Sequence, residues 1–169
     1  METIKNIIPY VVIIVIVILI RTFVMTPVRV NGPSMDNTLK NGQIMILNKL
    51  SKYKRGDIVV VDLGNEKIIK RIVGLPGESI YCLNSEIYIN DEKIKEDYIS
   101  SETLDFTKVF IQEDEYFVMG DNRTVSMDSR TFGPINKSQM MGISEFRIWP
   151  LHKFGIVKWG KQWKKLMMR

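Results

Sequence analysis

Ile7 to Ile20 is an unbroken apolar run whose least apolar members are Pro9 and Tyr10, and a segment of that kind cannot join an ordinary polar-surfaced domain as one more helix. Fourteen residues fall short of the roughly 20 that a straight bilayer crossing needs, so a span must take in Ile4 on one side and Arg21 to Met25 on the other. Arg21 is the one charge in the way, and its aliphatic stem can stay in lipid while the guanidinium reaches the headgroups. A removable secretion signal and a buried core helix are the competing readings. Arg21-Thr22-Phe23-Val24-Met25-Thr26-Pro27 lacks a small-x-small cleavage site, which opposes the first, and residues 1–25 are read as a retained anchor with a short tail. Lys5 is the only side-chain cation before the run, whereas Arg21 and Arg29 follow it closely. Charge bias therefore does not favour a cytoplasmic N-terminus.

After Pro27 the apolar run gives way to short β-branched stretches: Ile44 to Leu47, Ile58 to Asp62, Ile68 to Val73, Ile80 to Leu83, Ile87 to Ile89, Phe110 to Ile111, Tyr116 to Met119 and Ile143 to Trp149. Turn-forming residues separate them, among them Asn41-Gly42, Gly56-Asp57, Gly64-Asn65, Pro76-Gly77 and Asn90-Asp91. This spacing predicts a mostly β fold of coiled or barrel-like antiparallel sheets over residues 26–157, after one transmembrane helix. Residues 95–109 read as an exposed loop or hairpin extension. Cys82 is the only cysteine, so an intramolecular disulfide and a cysteine metal cluster are excluded, and it reads as a small packed strand residue. His152, also alone, reads as a surface or structural residue.

The net charge of +5 resides in Lys158, Lys161, Lys164, Lys165 and Arg169, which leave 19 basic against 19 acidic residues elsewhere. Trp159, Trp163, Leu166 and Met167 recur between them at helical spacing, so residues 158–169 read either as a basic amphipathic tail on an anionic membrane or as a solvated one. With no second basic face, nucleic acid is not an expected partner.

Three segments carry candidate chemistry. Ser34 follows the strand-like Val28-Arg29-Val30 behind a Gly32-Pro33 bend, which can present its hydroxyl beside free backbone N–H groups, although such a turn is commonly structural. Lys70 falls by strand alternation on the face of Ile68 and Ile72, where desolvation would lower its pKa until the amine accepts a proton; an edge-strand lysine that blocks aggregation is the alternative. Gly120-Asp121-Asn122-Arg123-Thr124-Val125-Ser126-Met127-Asp128-Ser129-Arg130 has no apolar periodicity and must exist for hydrogen bonds. Arg71 and Asp128 are candidates for a buried ion pair with Arg130 as second cation, which would place Ser126 to orient Lys70, while Gly120, Asp121 and Asn122 form the turn. The loop could instead be only a hydrogen-bonded turn, or an anion or metal site, the last opposed by Arg123 and Arg130.

Taken in order, Ser34-Met35, Gly56-Asp57, Lys70-Arg71 through Gly77-Glu78, Gly120 to Arg130 and Arg147-Ile148-Trp149-Pro150 resemble the bacterial type I signal peptidases, over nearly the whole chain. The resemblance implies a membrane-bound serine endopeptidase with Ser34 as nucleophile, Lys70 as general base and later acid, Ser126 orienting Lys70, and the Ser34 backbone amide in the oxyanion hole. Some members carry a serine hydroxyl at the position of Gly32, so the resemblance leaves the second donor open here, with a backbone N–H as one candidate. It further implies Val30, Met35 and Ile69 lining shallow pockets for small residues at −1 and −3 of exported preproteins, the substrate adding as an extended strand. No metal or cofactor is required. The short 84–112 segment matches the compact Gram-positive type. Residues 26–169 would lie outside the cell membrane on a single-pass anchor, near the export channel, with signal peptides and the bilayer as partners. A self-cleaving repressor-type protease finds no DNA-binding domain in residues 1–25, and a non-enzymatic tethered β module that binds exported proteins is the remaining alternative.

Overall fold

The computed structural model describes residues 2–99 and 101–157; the basic segment 158–169 lies outside the described residues. Helix α1 (Glu2–Phe23) is 22 residues long, about 33 Å at 1.5 Å per residue, enough for a hydrocarbon core of about 30 Å. Its window Asn6–Phe23 has mean hydropathy 2.4 and no buried residue. Helix geometry thus extends the apolar run in both directions. Strand β1 (Met25–Arg29) follows almost without a linker, and Lys49 reaches back to the helix end, its Nζ donating to the Thr22 carbonyl at 2.8 Å.

The remaining strands are β2 (Ile44–Asn48), β3 (Ile58–Asp62), β4 (Lys67–Gly74), β5 (Ser79–Leu83), β6 (Glu86–Ile89), β7 (Glu92–Lys93), β8 (Phe106–Phe110), β9 (Glu115–Met119), β10 (Ile135–Asn136), β11 (Met140–Trp149) and β12 (Gly155–Ile156), with a short helix α2 (Ser129–Phe132). All pairings are antiparallel. One sheet runs β1-β2-β11-β3-β4-β9-β10, with β12 on β11, and a second runs β7-β6-β5-β8. The tight connections fall at turn residues: Gly42, Gly56, Gly64 and Gly77 have φ near +80 to +90°, and Asn90-Asp91 takes the left-handed pair that a two-residue hairpin requires.

Three apolar clusters fill the fold. Val59, Val61, Ile72, Val118 and Ile143 form the core of the larger sheet, with Ile68 packed on it. Val73, Ile80, Ile87, Phe117 and Tyr98 form the core between the sheets, where Cys82 is buried as expected. Val30, Met35, Leu39, Met45 and Ile58 form a third, beside β1.

Of the exposed loop or hairpin extension expected for residues 95–109, the exposed loop is not what forms. Tyr98 and Thr103 are buried, and Phe106–Phe110 pairs with β5 as an edge strand. The mixed charges that suggested a solvated loop include Glu96, whose side chain is only 5% exposed because it pairs with a buried arginine.

Candidate active site

The site begins at an open seam in the larger sheet. β1 is the sheet's edge, and β9 pairs with β4 only from Arg71 onward, so the first half of β4, paired with β3 on one side, has no strand partner on the other among the described residues and borders a cleft. That cleft, about 680 Å³, is lined by Arg29, Asn31, Ser34, Ile68, Ile69 and Lys70, and continues to the hairpin between β3 and β4. Ser34 and Lys70 therefore share one cavity. Val30 and Met35 are placed differently from Ile69: both are buried in the cluster packed behind it, and do not themselves form the wall.

Lys70 is 3% exposed, opposite Val59 in the β3–β4 ladder. Burial lowers its pKa below the ordinary lysine value; Arg130 acts in the same direction and Asp128 against it. Its Nζ donates to the Ser126 Oγ at 3.0 Å, the contact expected of a residue that orients the amine.

Ser126 sits in the 120–130 loop, which three guanidinium–carboxylate pairs hold in place. Arg71 donates from Nε to Asp121 Oδ1 at 2.8 Å and from Nη2 to Oδ2 at 2.6 Å, and its Nη1 reaches the Gly56 carbonyl at 2.9 Å. The expected Arg71–Asp128 pair is thus corrected: Arg71 belongs to Asp121. Asp128 takes the side chain of Arg130 at 2.8 and 2.9 Å, and its Oδ2 accepts the Gly120 N–H at 2.9 Å. The reason is register. Arg71 lies opposite Met119, so Asp121, two residues on, comes to the same face, while Asp128 turns back to cap α2. Burial pushes the Asp128 carboxyl up, but Arg130 and the Gly120 N–H outweigh it and hold it below the usual carboxylate range.

The loop grips the Ser34 segment directly. The Asn122 N–H donates to the Ser34 carbonyl at 3.0 Å, and the Thr38 hydroxyl donates to Asp121 while accepting from Arg71 Nη2 at 3.2 Å. Thr38 is one turn beyond Ser34, where its backbone N–H bonds the Met35 carbonyl. Gly120 is the closest approach: a Cβ there would lie 2.2 Å from Ser126 Oγ and 2.5 Å from the Ser34 carbonyl oxygen, so only hydrogen fits. Gly120, expected merely to shape a turn, is the point where the loop meets both serines, and Asp121, expected to do the same, ties the loop to Arg71 and Thr38.

The third pair is Arg123 with Glu96, at 2.8 and 2.5 Å, supported by Thr103 Oγ1 at 2.7 Å and by an Arg123 Nε bond to the Gly120 carbonyl at 2.9 Å. Thr38 lay within the segment around Ser34 and an interior hydroxyl could have flagged it; Glu96 and Thr103 carry no local signal.

A family model described as "Signal peptidase, peptidase S26" matches residues 2–149. A signal peptidase I from Bacillus amyloliquefaciens is 40% identical over 156 residues, covering 83% of this chain and 84% of the relative. A signal peptidase IB from Staphylococcus aureus is 33% identical over 177 residues, covering 90% and 93%. The crystal structure of a signal peptidase I from Enterococcus faecalis superposes with a TM-score of 0.50 at 32% identity, over 55% of this chain and 97% of that one. The chain belongs to the signal peptidase family, peptidase S26, and is an enzyme of that class. Within the family, these relatives are all type I signal peptidases.

Proposed function

We propose that the chain removes N-terminal signal peptides from exported preproteins with Ser34 as nucleophile and Lys70 as base. The observation that carries this reading is a lysine 3% exposed, its amine bonded to Ser126, in the same cleft as Ser34. A desolvated amine loses its proton more readily, and the neutral form can take the Ser34 proton as the hydroxyl attacks the scissile carbonyl. Lys70 then returns that proton to the leaving amine, and a water deprotonated by Lys70 hydrolyses the ester. The Ser34 N–H is assigned to the developing oxyanion, with a second backbone N–H in place of the side chain that Gly32 lacks. Arg71, Asp128 and Arg130 take no part in bond making; they hold the loop that places Ser126.

The open edge of β4 suits an extended peptide that adds as a strand, side chains alternating into and away from the wall. Ile69, backed by Val30 and Met35, leaves room for small residues at −1 and −3. Helix α1 serves as a single-pass anchor that keeps the domain at the extracytoplasmic face of the membrane, where preproteins leave the export channel. The tethered binding module is not favoured, since the relatives are peptidases.

The test is mass spectrometry of the products formed by the full chain in detergent from a synthetic signal peptide with one Ala-x-Ala site. One cut after the second alanine, lost when that residue is leucine, is expected. An uncut peptide with folded protein overturns the reading.

A further inference from the structure

Tyr98 is buried in the core between the sheets, yet its ring and hydroxyl both reach the loop that carries Ser126. The Arg71 guanidinium carbon lies 4.4 Å from the ring centroid and that of Arg123 lies 6.0 Å from it, so the ring neighbours two of the three arginines that hold the loop, the two that are buried. A desolvated guanidinium over an aromatic face is held by the ring's quadrupole as well as by its carboxylate. The Tyr98 hydroxyl donates to Glu96, the partner of Arg123, and accepts from Arg123 Nη2 at 3.4 Å. Arg71 fixes Asp121 and Arg123 fixes the Gly120 carbonyl; Gly120 packs against Ser126 and the Ser34 carbonyl, and Asn122, next to Asp121, donates its N–H to that carbonyl.

We infer that Tyr98 is a positioning residue for the reaction, setting the Ser126–Lys70 contact through Arg71 and Arg123. Glu96, Tyr98 and Thr103 then belong to the positioning machinery, although none of the three lines the cleft. The inference rests on the Ser34–Lys70 reading above. Removing the ring lets both guanidiniums shift, Gly120 follows, Ser126 withdraws from the Lys70 amine, and water reaches the amine. Two effects follow together: a less well placed base, and a base whose pKa moves back toward the ordinary lysine value.

The experiment is the pH dependence of kcat and KM for full-length Tyr98→Leu, Tyr98→Phe and Glu96→Gln in detergent, against the parent, Ser34→Ala, and Ile94→Ala. Ile94 belongs to the same core cluster and serves as a control for destabilisation alone. Tyr98→Leu should lose about 100-fold in kcat, the scale of a 1 Å misplacement, with KM nearly unchanged and the rise of kcat moved to higher pH. Tyr98→Phe keeps the ring and should restore both rate and profile to near parent values. Glu96→Gln, which keeps the shape and removes the charge, should shift the profile in the same direction and gives the answer if Tyr98→Leu does not fold. The inference is overturned if folded Tyr98→Leu, or failing that Glu96→Gln, keeps the parent's profile, or if Ile94→Ala shifts it equally. An inactive parent would instead refute the underlying dyad reading.

Discussion

Gly120 and Ser126 are packed so closely that a methyl group on the first would overlap the hydroxyl of the second, at 2.2 Å from Oγ. The same methyl would strike the Ser34 carbonyl oxygen, which is backbone and cannot swing aside. Gly120→Ala should therefore separate the loop from both serines. A loss of about 100-fold in kcat and a destabilisation of about 1–3 kcal/mol are expected. Peptide cleavage and urea unfolding measure the two; a parent-like kcat would show that the loop tolerates the shift.

Asp121 is 0% exposed and holds Arg71 through two bonds and Thr38 through a third. Asp121→Ala leaves the Arg71 charge buried without its carboxylate and should cost about 3–5 kcal/mol in denaturant unfolding. Asp128→Ala should cost less, because Arg130 is 13% exposed and can turn toward water. Equal losses would contradict the assignment of Arg71 to Asp121.

Burial lowers the Lys70 pKa, and the neutral amine is the reactive form. Activity should thus be low in acid and rise with pH as Lys70 deprotonates, with a midpoint below the ordinary lysine value. Lys70→Arg should be inactive throughout, since a guanidinium keeps its proton. Because the folded chain binds the Lys70 proton less tightly than the unfolded chain, this group weighs against the fold as pH falls below the unfolded lysine value, so Lys70→Met should be inactive yet about 1 kcal/mol more stable at neutral pH. A pH-rate profile flat from acid to alkali would contradict this account of the base.

Much of this arrangement was legible in the sequence because it is local. Strand alternation put Lys70 on the face of Ile68 and Ile72, and β3 occupies Ile58–Asp62 as read. The loop's polarity announced hydrogen bonding, and Ser126 does meet Lys70. Partner choice was not legible, because Asp121 and Asp128 are equally acidic and only the Arg71–Met119 register selects between them. Glu96 and Tyr98 were hidden for a related reason. Mixed charge with weak periodicity reads as solvated until a distant arginine is known to fold against it.

Asp57, beside the Gly56 that accepts from Arg71, is 4% exposed, and its carboxyl is pushed up to about 7 by burial and by Glu145. Between the unfolded value near 4 and about 7, the folded chain binds a proton that the unfolded chain does not. This group's contribution to stability therefore falls as pH rises through that window. Asp57→Asn, which can still accept the Lys54 N–H, should flatten that fall and be more stable than the parent at pH 8. Thermal unfolding between pH 4 and 8 measures it, and parallel curves for the two proteins would refute the shift.

The most direct test of the central claim is a comparison of kcat/KM for parent, Ser34→Ala, Lys70→Ala and Ser126→Ala on one signal peptide, each protein shown to be folded. Ser34→Ala and Lys70→Ala should each fall by about 10⁴-fold or more, and Ser126→Ala by less, because it removes only the residue that aims the base. Folded Ser34→Ala or Lys70→Ala that cleaves at the parent's rate would contradict the account.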